Sequence, residues 1–309
     1  MKKSLALILT LSVILCAVCF TACSGSEKSD KKAQVDDTNL SFTTVGELRN
    51  AETKYEFITA DKKLDDELVV CQIKADASGE LTVPAEYDGK EVVAVTSEGK
   101  ENTAVTALTI ESGVSFIENC FAEKSALQTL TLPDTLTGVF KSFNSCAGVT
   151  ELKFASDFKY LFDSFSDCPA LEKVETNSYL HDLVNSFCNT PKLATVTLNG
   201  AIQKLENSFN QCALTGLTFV DNIHKISESF NECPALETVG VDQIAGSMGN
   251  AFNKCPKLTT LTYKQGGERI GNSFNEDPLL EKVDFGGGVG SIFNSFEGCK
   301  FKLPEQPAQ

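Results

Sequence analysis

The chain has 309 residues, 42% of them hydrophobic, and a formal net charge of −15. That is enough apolar content for one large or two ordinary globular domains. The charge repels phosphate backbones and anionic headgroups, which excludes nucleic acid and a peripheral electrostatic membrane mode from the expected partners.

Residues 1–22 read as a signal peptide: Lys2 and Lys3, the apolar run LALILTLSVILCAVCF, then small residues before Cys23. The stretch FTAC resembles a bacterial lipobox, in which signal peptidase II cuts ahead of a cysteine that receives diacylglycerol. Phe20 stands where leucine is usual, and Cys16 and Cys19 lack the small residue directly before them. The resemblance implies lipidation at Cys23. Acyl chains, at roughly 0.8 kcal/mol per buried CH₂, would then hold the protein on a membrane without a spanning helix. Residues 23–40 are polar and free of aromatics, the composition of a disordered tether. Residues 41–95 carry the apolar runs YEFIT and ELVVCQI but no period, and read as a strand-rich N-terminal cap over the open edge of the periodic region beyond residue 95.

From there the chain is periodic. Phenylalanine recurs at Phe121, Phe143, Phe165, Phe187, Phe209, Phe230, Phe252, Phe274 and Phe296, every spacing being 22 except one of 21 after Phe209. Most are followed by an alternating apolar run, such as Leu193, Val196 and Leu198, or Leu258, Leu261 and Tyr263; the short unit shifts its run to Leu214, Leu217 and Phe219. A run of that length is a strand, too short for a helix. One more unit, without its Phe, is traced at Val105, Leu108 and Ile110, giving about ten coils of 22 residues over 96–303, with residues 304–309 as a polar tail. A unit this small cannot bury its own apolar face, whereas stacked units share one continuous core. The expected fold is a mainly β solenoid, a rod on the order of 50 Å long at about 4.8 Å per coil.

The segment LPDTLTGVFKSFNSCAGVTEL (132–152) resembles the BspA-like leucine-rich repeats of bacterial cell-surface proteins, with SF in place of the usual AF, and ELTVPAEYDGKEVVAV (80–95) is similar to that family's opening unit. The resemblance implies a right-handed leucine-rich-repeat solenoid with parallel strands and little helix.

Cys146, Cys168, Cys212, Cys233, Cys255 and Cys299 each lie three residues after a ladder Phe, with Thr190 and Asp277 at the same position of two other coils. A straight ladder presents one thiol per rung, whereas zinc needs four ligands converging at about 2.3 Å. Rungs about 4.8 Å apart with parallel Cβ vectors do not suit a disulfide either. The expectation is a structural ladder of small buried thiols beside the Phe ladder, with no metal site. Cys71, Cys120 and Cys188 fall off this register, and their pairing stays open. Serines at 142, 164, 186, 208, 229, 273 and 295 precede the Phe, and asparagines at 144, 210, 231, 253 and 275 come directly after it. Their repetition marks groups that satisfy backbone at a corner.

No residue set points to catalysis or to a cofactor. His181 and His224, the two histidines, lie on different coils, and GGGVG at 286–290 lacks the Lys and Ser/Thr of a phosphate loop. The outward strand positions are rich in threonine (Thr129, Thr131, Thr195, Thr197, Thr259, Thr260, Thr262), with Glu151, Glu172, Glu237 and Glu281 among them, which suits a flat recognition face and equally a soluble β-surface. With no Trp and five Tyr, sugar stacking is not expected. The sequence thus predicts a non-enzymatic lipoprotein on the extracytoplasmic face of a bacterial membrane. As the family resemblance implies, its solenoid binds a protein or glycoprotein in the manner of an adhesin; the alternative is a structural or assembly component of the envelope.

Overall fold

A computed structural model describes residues 38–51, 55–60, 64–98, 104–121, 126–176, 179–265, 267–286 and 288–303. The signal, Cys23, nearly all of the tether and the 304–309 tail lie outside the described residues.

The N-terminal part comprises β1 (Leu40–Thr44), α1 (Val45–Asn50), α2 (Glu56–Ala60), β2 (Val69–Ile73), β3 (Ser78–Val83), β4 (Glu86–Tyr87) and β5 (Lys90–Ser97). Next come β6 (Ala104–Ile110), β7 (Phe116–Glu118), β8 (Thr129–Thr131), β9 (Gly138–Phe140), β10 (Glu151–Phe154), β11 (Tyr160–Phe162), β12 (Lys173–Thr176) and β13 (Leu180–Val184). The remainder holds β14 (Thr195–Leu198), β15 (Ile202–Glu206), β16 (Gly216–Ser227), β17 (Thr238–Gly249), β18 (Thr260–Gln265), β19 (Arg269–Gly271), β20 (Lys282–Asp284) and β21 (Ser291–Phe293).

Parallel strands stack as a solenoid of about nine turns with little helix. Each coil contributes one strand to each of two faces. On the first, β5, β7, β9, β11, β13 and β15 run in order into the second halves of β16 and β17, then β19 and β21. On the second lie β3, β6 and β8, then β10, β12 and β14, then the first halves of β16 and β17 with β18 and β20. Partners sit one repeat apart, Leu161 opposite Leu183 and Val174 opposite Val196. The register drops to 21 at Leu205 opposite Ile226, across the one short unit.

The second face is seamed twice, since neither β8 and β10 nor β14 and β16 are paired. The first seam adjoins Gly148, where a Cβ would stand 2.8 Å from the Gln128 backbone and the Leu127 carbonyl, so the coils meet too closely for any larger residue. The second falls at the 21-residue unit, where one residue is missing from the turn. The unit at Val105, Leu108 and Ile110, which has no Phe, is β6 and pairs in parallel with β3 and β8.

The parallel stack already includes β3 and β5, within the segment expected as a cap. Beyond them β1 closes the first face antiparallel to β2. The run YEFIT is not a strand, since α2 begins at Glu56. The reason is distant in sequence: the buried Glu118 carboxylate accepts the amides of Phe57 and Ile58 at 2.9–3.1 Å, satisfying the first turn. Burial holds the Glu118 carboxyl above its ordinary range, and those amides pull it back down. Phe57 stacks on Phe140 with ring centroids 3.9 Å apart, so α2 is fastened over the outward side of the first face. α1 starts with a capping box between Thr44 and Glu47 and buries Val45 and Leu48 against Val70, Val93 and Ala94.

Candidate functional site

Seven of the nine ladder Phe are preceded by Ser, where the coil turns a corner, and the backbone there is unusual. Asn185, Phe187 and Asn189 have φ of 50°, 60° and 54°, and the same three-residue alternation recurs in coil after coil. The left-handed region costs an L-residue roughly 1–2 kcal/mol. What it gives is alternation of direction. Asn185 and Asn189 donate their amides forward to the carbonyls of Glu206 and Asn210, while Phe187 donates backward to Ser164. Asn and Asp tolerate this conformation, which explains their frequency at the flanking positions. Phe does not favour it, and is held there by burial.

The nine ladder phenylalanines are 0–4% exposed and stack along the rod with centroids 4.9–5.8 Å apart. Such pairs add about 0.5–1.5 kcal/mol each beyond their burial. Around them the small polar residues form continuous chains. Ser142 N–H donates to Ser164 Oγ, Ser164 to Ser186, Ser186 to Ser208 and Ser208 to Ser229, while each hydroxyl donates to a carbonyl two residues back in its own coil. The asparagines bridge coils in the same way: Asn231 Oδ1 accepts from Asn253 N–H, and its amide donates to the Asn250 carbonyl.

The six ladder cysteines are buried and are in no disulfide. Their role exceeds filling. Cys168, Cys212, Cys233, Cys255 and Cys299 place Sγ 3.0–3.3 Å from the carbonyl oxygen of a Phe one coil back. The corner carbonyl is thereby given a donor in the dry core, a contact that the Phe-x-x-Cys spacing alone does not reveal. Cys71 and Cys120 are also buried, and Cys188 is half-buried at the position where other coils carry Asn; all three are in no disulfide. Burial pushes the Cys71 thiol up to about 12 and those of Cys188 and Cys212 upward as well. A thiol so held is a poor nucleophile and a poor metal ligand.

The histidines sit on the first face, two coils apart. His181 Nδ1 is 3.0 Å from Asp182 Oδ2, and His224 is exposed. No group of three or more His, Cys, Asp or Glu is placed to hold a metal among the described residues. A shallow corner trough of about 560 Å³ is lined by Cys188, Asn210, Asn231, Asn253 and their neighbours. The side-chain amides of its Asn floor are already taken by carbonyls of the next coil, so the trough offers little to a ligand.

The outward side of the second face is different. Gly216 and Thr218, Thr238 and Gly240, and Thr260 and Thr262 occupy two aligned rows over three successive coils, with Thr195 and Thr197 of β14 across the second seam. Glycine interleaves with threonine for a steric reason. A Cβ at Gly216 would meet Thr238 Oγ1 at 3.0 Å, and one at Gly240 would meet Thr218 Oγ1 at 3.2 Å. The result is a hydroxyl-rich surface of small side chains, with the exposed Glu237 just before Thr238, Lys282 and Asp284 on the adjoining coil, and Lys173 and Glu175 beside Thr195 and Thr197 beyond the seam. Thr129 and Thr131 form a separate patch beyond the first seam.

The family model for the BspA type leucine rich repeat region matches the chain in six copies, over residues 100–208 and 184–302. Comparison with curated proteins gives no match. Among solved structures, a leucine-rich repeat protein from Bacteroides ovatus ATCC 8483 is 13% identical, with 87% of this chain and 92% of that chain covered and a TM-score of 0.33. A leucine rich cell surface protein from Faecalibacterium prausnitzii A2-165 is 11% identical, with 72% and 91% covered and a TM-score of 0.28.

Proposed function

Because the chain belongs to the BspA-type leucine-rich repeat family, we propose that it is a non-enzymatic surface lipoprotein whose solenoid presents a binding face to an extracellular protein or glycoprotein. The observation that carries the reading is the hydroxyl platform from Gly216 to Thr262. Its rows are fixed by the parallel register, its glycines leave room for the neighbouring threonines, and its hydroxyl side chains cost less to desolvate on docking than a Lys/Glu surface does. A rigid array of this kind orders few groups on binding, which limits the entropic cost of association. Lipidation at Cys23 and the tether after it hold the solenoid off the membrane, facing outward.

Photocrosslinking residues at Thr218 and Thr262, displayed on intact cells, test this reading. Capture of an extracellular protein or glycoprotein supports it, and capture of an envelope protein of the producing cell supports the assembly role. Capture confined to a control position on the first face, such as His224, removes the threonine platform from the proposal.

A further inference from the structure

The column of groups three residues beyond each Phe contains one member unlike the rest. In five coils that position is a thiol whose S–H reaches the carbonyl of a Phe one coil back. By the same register, the carbonyl that falls to residue 277 is that of Phe252. Asp277 is fully buried. Its Oδ1 accepts the Cys255 amide at 2.6 Å, and its Oδ2, equally buried, has no partner. The ionisable groups acting around it are the Cys255 thiol on the preceding coil, the Cys299 thiol on the next one and the neighbouring Glu276 carboxylate. Lys302 acts on Cys299 from the far side, and among the described residues no cation acts on Asp277. An ionised carboxyl would therefore set an acceptor-only oxygen in a dry site built for a donor.

We propose that Asp277 is held as the neutral carboxylic acid, its Oδ2–H donating to the Phe252 carbonyl as the thiols of the other coils do, so that one proton locks the last coils onto the stack. Burial moves the ionisation of Asp277 up to about 8, against the pull of the Cys255 amide and with the help of the Glu276 charge. The folded chain thus holds this proton more tightly than the unfolded chain, whose carboxyl titrates at about 3.9. The stability it contributes is complete below about pH 4, falls as the unfolded chain loses its proton, and is gone once the folded chain loses its own near pH 8. The last coils are therefore held less firmly in alkaline surroundings.

Asp277→Asn tests this, because the amide accepts from Cys255 and donates toward Phe252 without titrating; Asp277→Cys restores the residue used by the other coils. Thermal midpoints of the full chain are compared from pH 5 to 8.5, and the Asp277 carboxyl carbon of the unmodified protein is followed by ¹³C NMR. The expected result is that wild type loses midpoint relative to both variants as pH rises, the difference levelling off near pH 8, and that the carboxyl carbon titrates about four units above its ordinary value. Parallel stability profiles, or a carboxyl titrating near its ordinary value, overturn the proposal.

Discussion

The thiol of Cys212 lies 3.2 Å from the carbonyl oxygen of Phe187, 25 residues earlier and one coil back. The contact joins the two features that repeat most faithfully in this chain. Phe187 adopts a left-handed φ that directs its amide backward, and its carbonyl is left in the core, where water cannot serve it. A thiol is small enough to sit beside the Phe stack and still carries a weak donor. Thr190 Oγ1 donates to the same carbonyl at 2.8 Å, so alanine at position 212 would fill most of the volume and leave that hydroxyl as the remaining donor.

Cys233, which makes the same contact to Phe209 at 3.3 Å, is where this is best tested. Cys233→Ala should cost about 1–2 kcal/mol, combining a small truncation with a buried acceptor left without its partner. In the folded protein the six ladder thiols should react with a thiol reagent only at the rate of unfolding. A fast-reacting thiol among them, or zinc retained in native mass spectrometry, would mean that the column is a chemical site after all.

Phe209→Ala, in the middle of the stack, should cost about 3–5 kcal/mol as a fully buried aromatic truncation. Because coils contact only their neighbours, the loss should also divide cooperative unfolding into two transitions. A change below about 1 kcal/mol in chemical denaturation would remove the Phe ladder from the core.

The period was legible because each coil repeats one solution to one packing problem. Phe, Ser and the alternating apolar run recur at fixed offsets, and a 22-residue unit with a single short strand has no stable form alone. What could not be read lies across coils or in the backbone. The left-handed φ of Phe187 contradicts the residue's own preference. The partner of Cys212 is 25 residues away, and the helix at Glu56–Ala60 is decided by Glu118, some 60 residues downstream. YEFIT is too short to show a period, so strand and helix were indistinguishable until that carboxylate was in place. The threonine platform was half legible. Its threonines stood out, but the glycines between them take their meaning only from Thr218 and Thr238 leaning into the space a Cβ would need.

The serine chain has one gap. Ala251 passes its amide forward to Ser273 Oγ like its neighbours, but its methyl group offers no oxygen to the coil behind it, where Ser229 stands. Ala251→Ser should supply that acceptor and donate its own proton to the Gly249 carbonyl, as Ser273 does to Gly271. The expected gain is about 0.5–1 kcal/mol, read as a higher denaturant midpoint with an unchanged slope. A loss would show that the site has closed too tightly around the methyl group to admit a hydroxyl.

Tyr263 is fully buried, and its hydroxyl has no hydrogen-bond partner among the described residues. Burial raises its phenol well above the ordinary range, so it stays neutral, but neutrality does not offset the desolvation of the O–H. Tyr263→Phe should therefore stabilise the solenoid by about 1 kcal/mol. The neighbouring Gly267, whose Cβ would stand 2.8 Å from that oxygen, should tolerate alanine better in the Phe background than in wild type. Additive effects of the two changes would show that the hydroxyl does not set the space at Gly267.

The last prediction concerns the anchor on which the proposed surface role depends. No helix among the described residues is long and apolar enough to cross a membrane. The net charge of −15 also opposes adsorption to anionic headgroups, and the proposed anchor is the N-terminal segment. If Cys23 carries the lipid, Cys23→Ala should move the protein from the membrane fraction to the medium or the soluble fraction once the leader is processed, with thermal unfolding of the solenoid unchanged. Two acyl chains hold a protein on a bilayer effectively, and the acidic chain left without them is repelled by anionic headgroups. A Cys23→Ala protein that is cleaved and still sediments with membranes would show that a partner in the envelope holds it there, which would favour the assembly role over a lipid-anchored adhesin.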